Sequence, residues 1–129
     1  MNYEFLVLFT STIGWECDQR LAMAIAEAKP SIRVAFVGPP VTTSPDKALK
    51  ECPVLDFICR REFDYSVVEF AKGKALNEIL GISYKLDGKI VHNPDRPQVE
   101  NLDEMPWATK IYSTREGGRK ATARESARK

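Results

Sequence analysis

No apolar run in this sequence approaches the roughly 20 residues that a helix needs to cross a bilayer. The longest, residues 5–9 and 34–37, are far shorter, so no membrane span is expected. A basic cluster leading into an apolar stretch and a small-residue cleavage site is also missing, and Glu4 stands near the N-terminus instead. That leaves no sign of a secretory signal, and the expected compartment is the cytoplasm. Cysteine is scarce: Cys17, Cys52 and Cys59 are odd in number and widely spaced, which fits neither a disulfide framework nor a close-packed metal motif. They are read as buried thiols, the usual state of free cysteine. Histidine occurs once, at His92.

Charge of one sign is lacking as well, but only in the total. From Ser113 onward six basic residues face two acidic ones, a net of +4, which leaves −3 for residues 1–112 out of the overall +1. A mildly acidic body offers no general attraction for nucleic acid. Residues 113–129 contain nothing apolar larger than alanine or threonine. Such a stretch cannot bury enough surface to offset the entropy of ordering and is expected to be a disordered basic tail.

What is present is the composition of one globular domain: 129 residues, 43% hydrophobic and 29% charged, neither disordered nor membranous. Residues 4–9 and 32–37 are continuous apolar runs without polar alternation, the pattern of central strands covered on both faces in a parallel sheet. Between them, residues 16–29 carry Leu21, Ala22, Ile25 and Ala28 at helical spacing, with Glu16 and Asp18 in the first turn and Pro30 as a stop. The second run ends at Gly38-Pro39-Pro40, where the ladder loses its N–H donors. Ser44-Pro45 marks a helix start, with serine as the cap. A third strand is expected over 54–59, followed by a helix capped by Asp64 that buries Val67, Val68 and Ala71 and stops at Gly73.

The order βαβαβα implies a partial Rossmann-like, flavodoxin-like α/β fold with right-handed crossovers, whose ligands bind beyond the carboxyl ends of the strands. After Gly81 the pattern changes. Ile82, Tyr84 and Leu86 alternate with polar residues, and Asp87-Gly88 supplies a two-residue turn into residues 89–92. This β-hairpin is expected as an antiparallel appendage. The expected organisation is therefore an α/β domain over 1–80, hairpin and extended connector over 81–112, and tail over 113–129.

Three loops should share one rim. The first, Thr10-Ser11-Thr12-Ile13-Gly14, gathers hydroxyls ahead of a helix whose early N–H groups are free for an anion; helix capping is the plainer alternative. The second runs from Gly38 through Thr42 to Pro45, and the third contains Glu62-Phe63-Asp64-Tyr65.

In this order and spacing the loops resemble the cobalamin-binding domain of radical S-adenosylmethionine enzymes. In that family a strand ends in Ser/Thr, a second in a glycine- and threonine-containing loop, and a third in Gly-Glu-x-Glu. The hairpin with Asp87-Gly88, then Asn93-Pro94, Arg96-Pro97 and Leu102-Asp103-Glu104-Met105-Pro106, is similar to the segment after the third strand in that family. The resemblance runs over about residues 3–112. It is closest to the hopanoid-biosynthesis branch, where Glu62-Phe63-Asp64-Tyr65 replaces Glu-Gly-Glu.

The resemblance implies cobalamin, a corrinoid, held by Thr10, Ser11, Thr12, Gly38, Thr42 and Glu62. Three positions depart from the pattern: Pro39 for a second glycine, Val41 near a loop histidine, and Arg61 for the glycine before Glu62. No Cys-x-x-x-Cys-x-x-Cys triplet for an iron–sulfur cluster is present, so no catalytic residue is assigned. The resemblance further implies a truncated piece that lacks the family's first strands and its barrel. A sheet stripped of those strands leaves an edge on 4–9 or 32–37 open, which predicts self-association.

The alternatives are a non-catalytic interaction domain docking on a separate radical S-adenosylmethionine barrel chain, and a receiver-like signalling domain. The second needs a phosphoacceptor aspartate at a strand's carboxyl end, where Phe9-Thr10 stands with no acidic pair before it. His92 is read as a solvated hairpin residue rather than a cobalt ligand, since the Asp-x-His-x-x-Gly motif is absent. Trp15 and Trp107 are read as core or interface anchors.

Overall fold

The computed structural model describes residues 2–107 and 109–110. The tail over 113–129 and the end of the connector lie outside the described residues. The chain divides into two units, Met1–Pro97 and Gln98–Lys129.

In the first unit, strand β1 (Phe5–Phe9) leads through helix α1 (Trp15–Ala28) to β2 (Arg33–Val37). Two short helices, α2 (Pro39–Thr43) and α3 (Pro45–Glu51), precede β3 (Phe57–Cys59). Helix α4 (Asp64–Ala71) and a 3-10 turn at Leu76–Glu78 then lead into the hairpin of β4 (Ile82–Leu86) and β5 (Lys89–His92). The five strands form one sheet in the order β1-β2-β3-β4-β5, parallel across β1, β2 and β3 and antiparallel from β3 onward. The parallel half with its helices is the Rossmann-like α/β arrangement expected from the sequence.

Strand parity sorts the core into two layers, because successive side chains point to opposite faces. Leu6, Leu8, Val34, Phe36 and Ile58 pack with Ala22 of α1, Val41 of α2 and Ala48 and Leu49 of α3. Phe5, Val7, Ala35, Val37, Phe57 and Cys59 pack with Val67 and Phe70 of α4 and with Ile79. Phe70 sits 4.8 Å from Phe5 and 4.7 Å from Phe57, ring to ring.

Several expectations are corrected. The hairpin is no appendage: Ile58 pairs with Ser83 and Cys59 with Ile82, and Ile82, Ser83 and Tyr84 are buried. Burying that half of β4 beside β3 extends the sheet and covers an edge that would otherwise stay open. β1 is an edge strand rather than a central one. Its continuous apolar run reflects coverage of both faces, which sequence pattern cannot distinguish from flanking by two strands.

The Gly38-Pro39-Pro40 loop begins a helix, since proline is tolerated where helical N–H groups have no partner. Ser44 does not cap by its side chain; it lies between α2 and α3, its N–H donating to Pro40 O and its carbonyl accepting from Ala48 N. Asp64 is the first helical residue rather than a side-chain cap. The inward residues of α4 are Ser66, Val67 and Phe70, while Val68 and Ala71 are exposed. In α1, Ala22 is buried but Leu21 and Ala28 are exposed. Cys52 and Cys59 are buried and Cys17 is exposed. The third strand is shorter than expected because Asp56 turns its carboxylate to Arg33 Nε, at 2.8 Å, and to Val34 N, at 2.7 Å.

The Asp87-Gly88 turn forms as the sequence demands, with φ of 51° and 78°, the positive pair required by a tight hairpin. Just past β5, buried Asn93 donates its side-chain amide to the Leu76 and Ile79 carbonyls, both at 2.7 Å. Arg96 reaches Glu69 Oε2 at 2.5 Å and Ser66 Oγ at 3.1 Å. In the second unit a 3-10 turn at Leu102–Glu104 is capped by the Asn101 side chain, which accepts from Asp103 N at 3.1 Å. Among the described residues no helix is long and apolar enough to cross a membrane.

Candidate functional site

The carboxyl ends of β1, β2 and β3 lie side by side, so the loops that leave them form one rim. Two backbone interlocks join these loops. Thr10 N donates to Val37 O at 2.8 Å, and Gly38 comes next with φ 120° and ψ 178°. A Cβ at Gly38 would overlap the Thr10 carbonyl oxygen and lie 3.3 Å from both the Thr10 carbonyl carbon and its nitrogen. Glycine is therefore required here by the neighbouring loop. The second interlock is Thr42 Oγ1, which accepts from Arg61 N at 2.9 Å and ties the loop after β2 to the loop after β3. Arg61 holds φ 65°, a left-handed conformation that side chains resist and glycine accepts. Arg61 thus holds a backbone conformation that glycine adopts readily.

The six residues singled out in the sequence fall into distinct roles on this rim. Thr10 is fully buried, its hydroxyl 3.5 Å from the Ser11 carbonyl, so it offers no accessible oxygen. Ser11 Oγ accepts from Gly14 N at 3.0 Å and closes the turn before α1; Gly14 is the N-cap of that helix and no side chain caps it, so Ser11 is a turn residue and not a helix cap. Thr12 is exposed and lines a cavity of about 280 Å³. Gly38 and Thr42 hold the loops together as described. Glu62 is exposed beyond Arg61, on the far loop, and is not among the residues that line the cavity.

The cavity opens on the rim beside Thr12, and its other walls were not among the six residues singled out from sequence. They are Trp15, Pro40, Thr43, Ser44, Lys47 and Ala48. Trp15 is fixed on both sides: its indole N–H donates to Glu51 Oε2 at 2.7 Å and its ring stands edge-on to Phe36 at 5.8 Å. Lys47 reaches the same carboxylate at 3.7 Å. One aromatic plane, three hydroxyls and one ammonium thus line a single recess. The available signal was the placement of Trp15 directly after Gly14 and of Lys47 one turn after Ser44, but only the insertion of α2 brings the two segments together.

His92 has both ring nitrogens engaged, Nδ1 with Ser83 Oγ at 2.7 Å and Nε2 with Asp46 Oδ1 at 2.9 Å. It is therefore a bridge between β5 and α3 rather than a merely solvated side chain. Burial pushes the Cys59 thiol up to about 12 and raises that of Cys52, so both stay protonated and unreactive. Among the described residues no three or more His, Cys, Asp or Glu side chains converge as a metal site.

No family model matches the sequence. An uncharacterized methyltransferase from Pyrococcus horikoshii is 39% identical over 106 residues, covering 78% of this chain. The chain spans 23% of the length of that curated relative. Among solved structures, that of the radical S-adenosylmethionine methyltransferase TsrM from Kitasatospora setae, with tryptophan substrate and the analog aza-SAM bound, superposes with a TM-score of 0.62. The match covers 73% of this chain and 20% of that one at 9% identity, a likeness of fold. The chain is thus related in sequence to part of a methyltransferase and in fold to part of a radical S-adenosylmethionine methyltransferase.

Proposed function

We propose that this chain is a corrinoid-binding module of a radical S-adenosylmethionine methyltransferase system. The observation that carries the reading is the interlocked rim. Three loops at the carboxyl ends of parallel strands are locked by Gly38 on Thr10 and by Thr42 on Arg61, beside a recess of about 280 Å³. Likeness to methyltransferases by sequence and by fold supports it independently.

The donor set fits the ligand's chemistry. A corrinoid carries amide side arms and, in its complete form, a phosphodiester on a nucleotide arm. Hydroxyls of Thr12, Thr43 and Ser44 suit the amides and the sugar, the Lys47 ammonium suits the phosphodiester, and Trp15 suits a planar base. The recess takes one such arm, being at the small end of the range for ligand sites. Ser11, Gly38, Thr42 and Glu62 would border the rest. When bound, the corrinoid supplies a cobalt centre able to carry a methyl group. The chain's residues bind and orient it, and the iron–sulfur cluster for radical chemistry would come from outside these residues, on a barrel partner. Both nitrogens of His92 are committed to Ser83 and Asp46, so this side chain is not assigned to cobalt. Assignment to the hopanoid-biosynthesis branch rests on the Glu62-Phe63-Asp64-Tyr65 sequence. What weighs against the receiver-like alternative is the sequence, since Phe9-Thr10 stands where a phosphoacceptor aspartate is needed and no acidic pair precedes it.

Titration with hydroxocobalamin tests the reading. The expected dissociation constant is on the order of 0.1–1 mM, about 4–5.5 kcal/mol, because Pro39 and Arg61 crowd places where glycine would admit a ligand. The visible spectrum and the amide resonances of residues 10–14, 38–47 and 61–64 should move together. Thr12→Ala and Glu62→Ala should weaken binding with folding preserved. An unmoved spectrum and unmoved amides at millimolar ligand would reject the proposal, as would shifts confined to His92.

A further inference from the structure

The outer edge of β1 carries a pattern that the corrinoid reading does not use. Glu4 O accepts from Arg33 N and Thr10 N donates to Val37 O, so the even-numbered residues turn their backbone groups toward β2. Backbone direction alternates along a strand. The N–H and C=O groups of Phe5, Val7 and Phe9 therefore face the open edge. Just before them, the Tyr3 carbonyl is occupied by Lys29 Nζ, which leaves Phe5–Phe9 as the stretch that no described strand pairs on its outer side.

Among the described residues this edge has none of the usual protection. β5, at the opposite side of the sheet, begins at Lys89, ends at His92 and is followed by Pro94 and Pro97. β1 contains no charge, proline or glycine, and exposed edges without such guards pair with other strands. Its sequence is also a palindrome, Phe-Leu-Val-Leu-Phe. In antiparallel pairing about a two-fold axis through Val7, Phe5 of one copy lies opposite Phe9 of the other, Leu6 opposite Leu8, and Val7 opposite itself. Every outward-facing residue then meets an outward-facing residue, so three hydrogen-bonded pairs form. Like side chains meet on each face of the joined sheet. Glu4 falls opposite Thr10, so no like charges are opposed. Phe9, 63% exposed at its own strand end, gains an aromatic neighbour on the α4 face.

We infer that two copies of this chain associate through β1, antiparallel and centred on Val7, into a continuous ten-stranded sheet. This goes beyond self-association from an open edge, since it specifies the strand, the direction and the register. An isologous contact of this kind closes on itself and stops at the dimer.

Light scattering on the eluting full-length chain at high micromolar concentration should give twice the 14.6 kDa chain mass. Phe9→Lys, which alters an exposed side chain, should weaken the dimer at least tenfold with the circular dichroism unchanged. Val7→Pro, which removes an outward N–H that no bond among the described residues uses, should do the same. Register is read in a Cys17→Ser background. Val7→Cys should form a covalent dimer under mild oxidation, because directly opposed residues of a hydrogen-bonded pair sit about 5.5 Å apart, within disulfide reach. Leu6→Cys should not, since residue 6 faces residue 8. A monomer at high concentration overturns the inference. So does a dimer that ignores Phe9→Lys and leaves the Val7→Cys thiols free, which would place the contact on another surface or register.

Discussion

Replacing Gly38 by alanine should be among the most damaging single-methyl changes in the molecule. At φ 120° and ψ 178° the backbone occupies a region that side-chain-bearing residues avoid, at a cost of about 1–3 kcal/mol. The added Cβ must also displace the Thr10 carbonyl. That carbonyl belongs to backbone tied to β2 through Thr10 N and Val37 O, so it cannot rotate away as a side chain would. Forcing such an overlap adds about 1–3 kcal/mol. The sum is about 2–6 kcal/mol, a large share of the 5–15 kcal/mol typical of a domain.

Gly73→Ala provides the internal reference. Gly73 also has a positive φ, 89°, but nothing lies within 4 Å of its Cβ position. It should lose only the conformational term, about 1–2 kcal/mol. Urea unfolding of the two variants side by side isolates the contact, and a common m-value would show that the unfolded state is unchanged. In thermal melts the Gly38 variant should fall below the Gly73 variant by about 4–24 °C, the contact term of about 1–3 kcal/mol taken at about 4–8 °C per kcal/mol. Equal losses in the two variants would refute the argument and show that the Thr10 and Gly38 loops are not interlocked.

Arg61→Gly should stabilise the protein by about 0.5–1 kcal/mol, the left-handed strain relieved less the added backbone entropy. A raised urea midpoint checks this, and a lowered one would show that the Arg61 side chain matters more than its φ of 65°. The third expectation concerns pH. Burial alone would raise the Glu69 carboxyl, but the hydrogen bond and charge of Arg96, helped by Lys74, outweigh it and hold the group below its ordinary range. A carboxyl lowered on folding contributes stability above its unfolded value, about 4.3, and that contribution is lost as pH falls through the folded value. Glu69→Gln should therefore cost about 1–2 kcal/mol at pH 7. It should also show a shallower loss of stability than the parent below about pH 4.3, and parallel curves would contradict the assignment.

The parallel half of the fold was legible because its signals are local. Continuous apolar runs, proline stops and acidic first turns report on the few residues around them, and the Asp87-Gly88 turn reports on two positive φ angles. The order of motifs likewise placed the rim at Thr10, Gly38 and Glu62. Lateral position is a different kind of information. Phe5–Phe9 is apolar because helices cover both faces, and no periodicity records that only one described strand, β2, flanks it. The hairpin's place beside β3 depended on burying Ile82 and Tyr84 in a core shared with Phe57, a decision made between distant segments. The recess depended on a five-residue helix started by two prolines, which carries Lys47 toward Trp15. Thr10 shows the limit most directly: the sequence by itself determined a hydroxyl at a strand end, and tertiary packing against Gly38 turned it inward, because two loops that meet at backbone contact enclose the side chain between them.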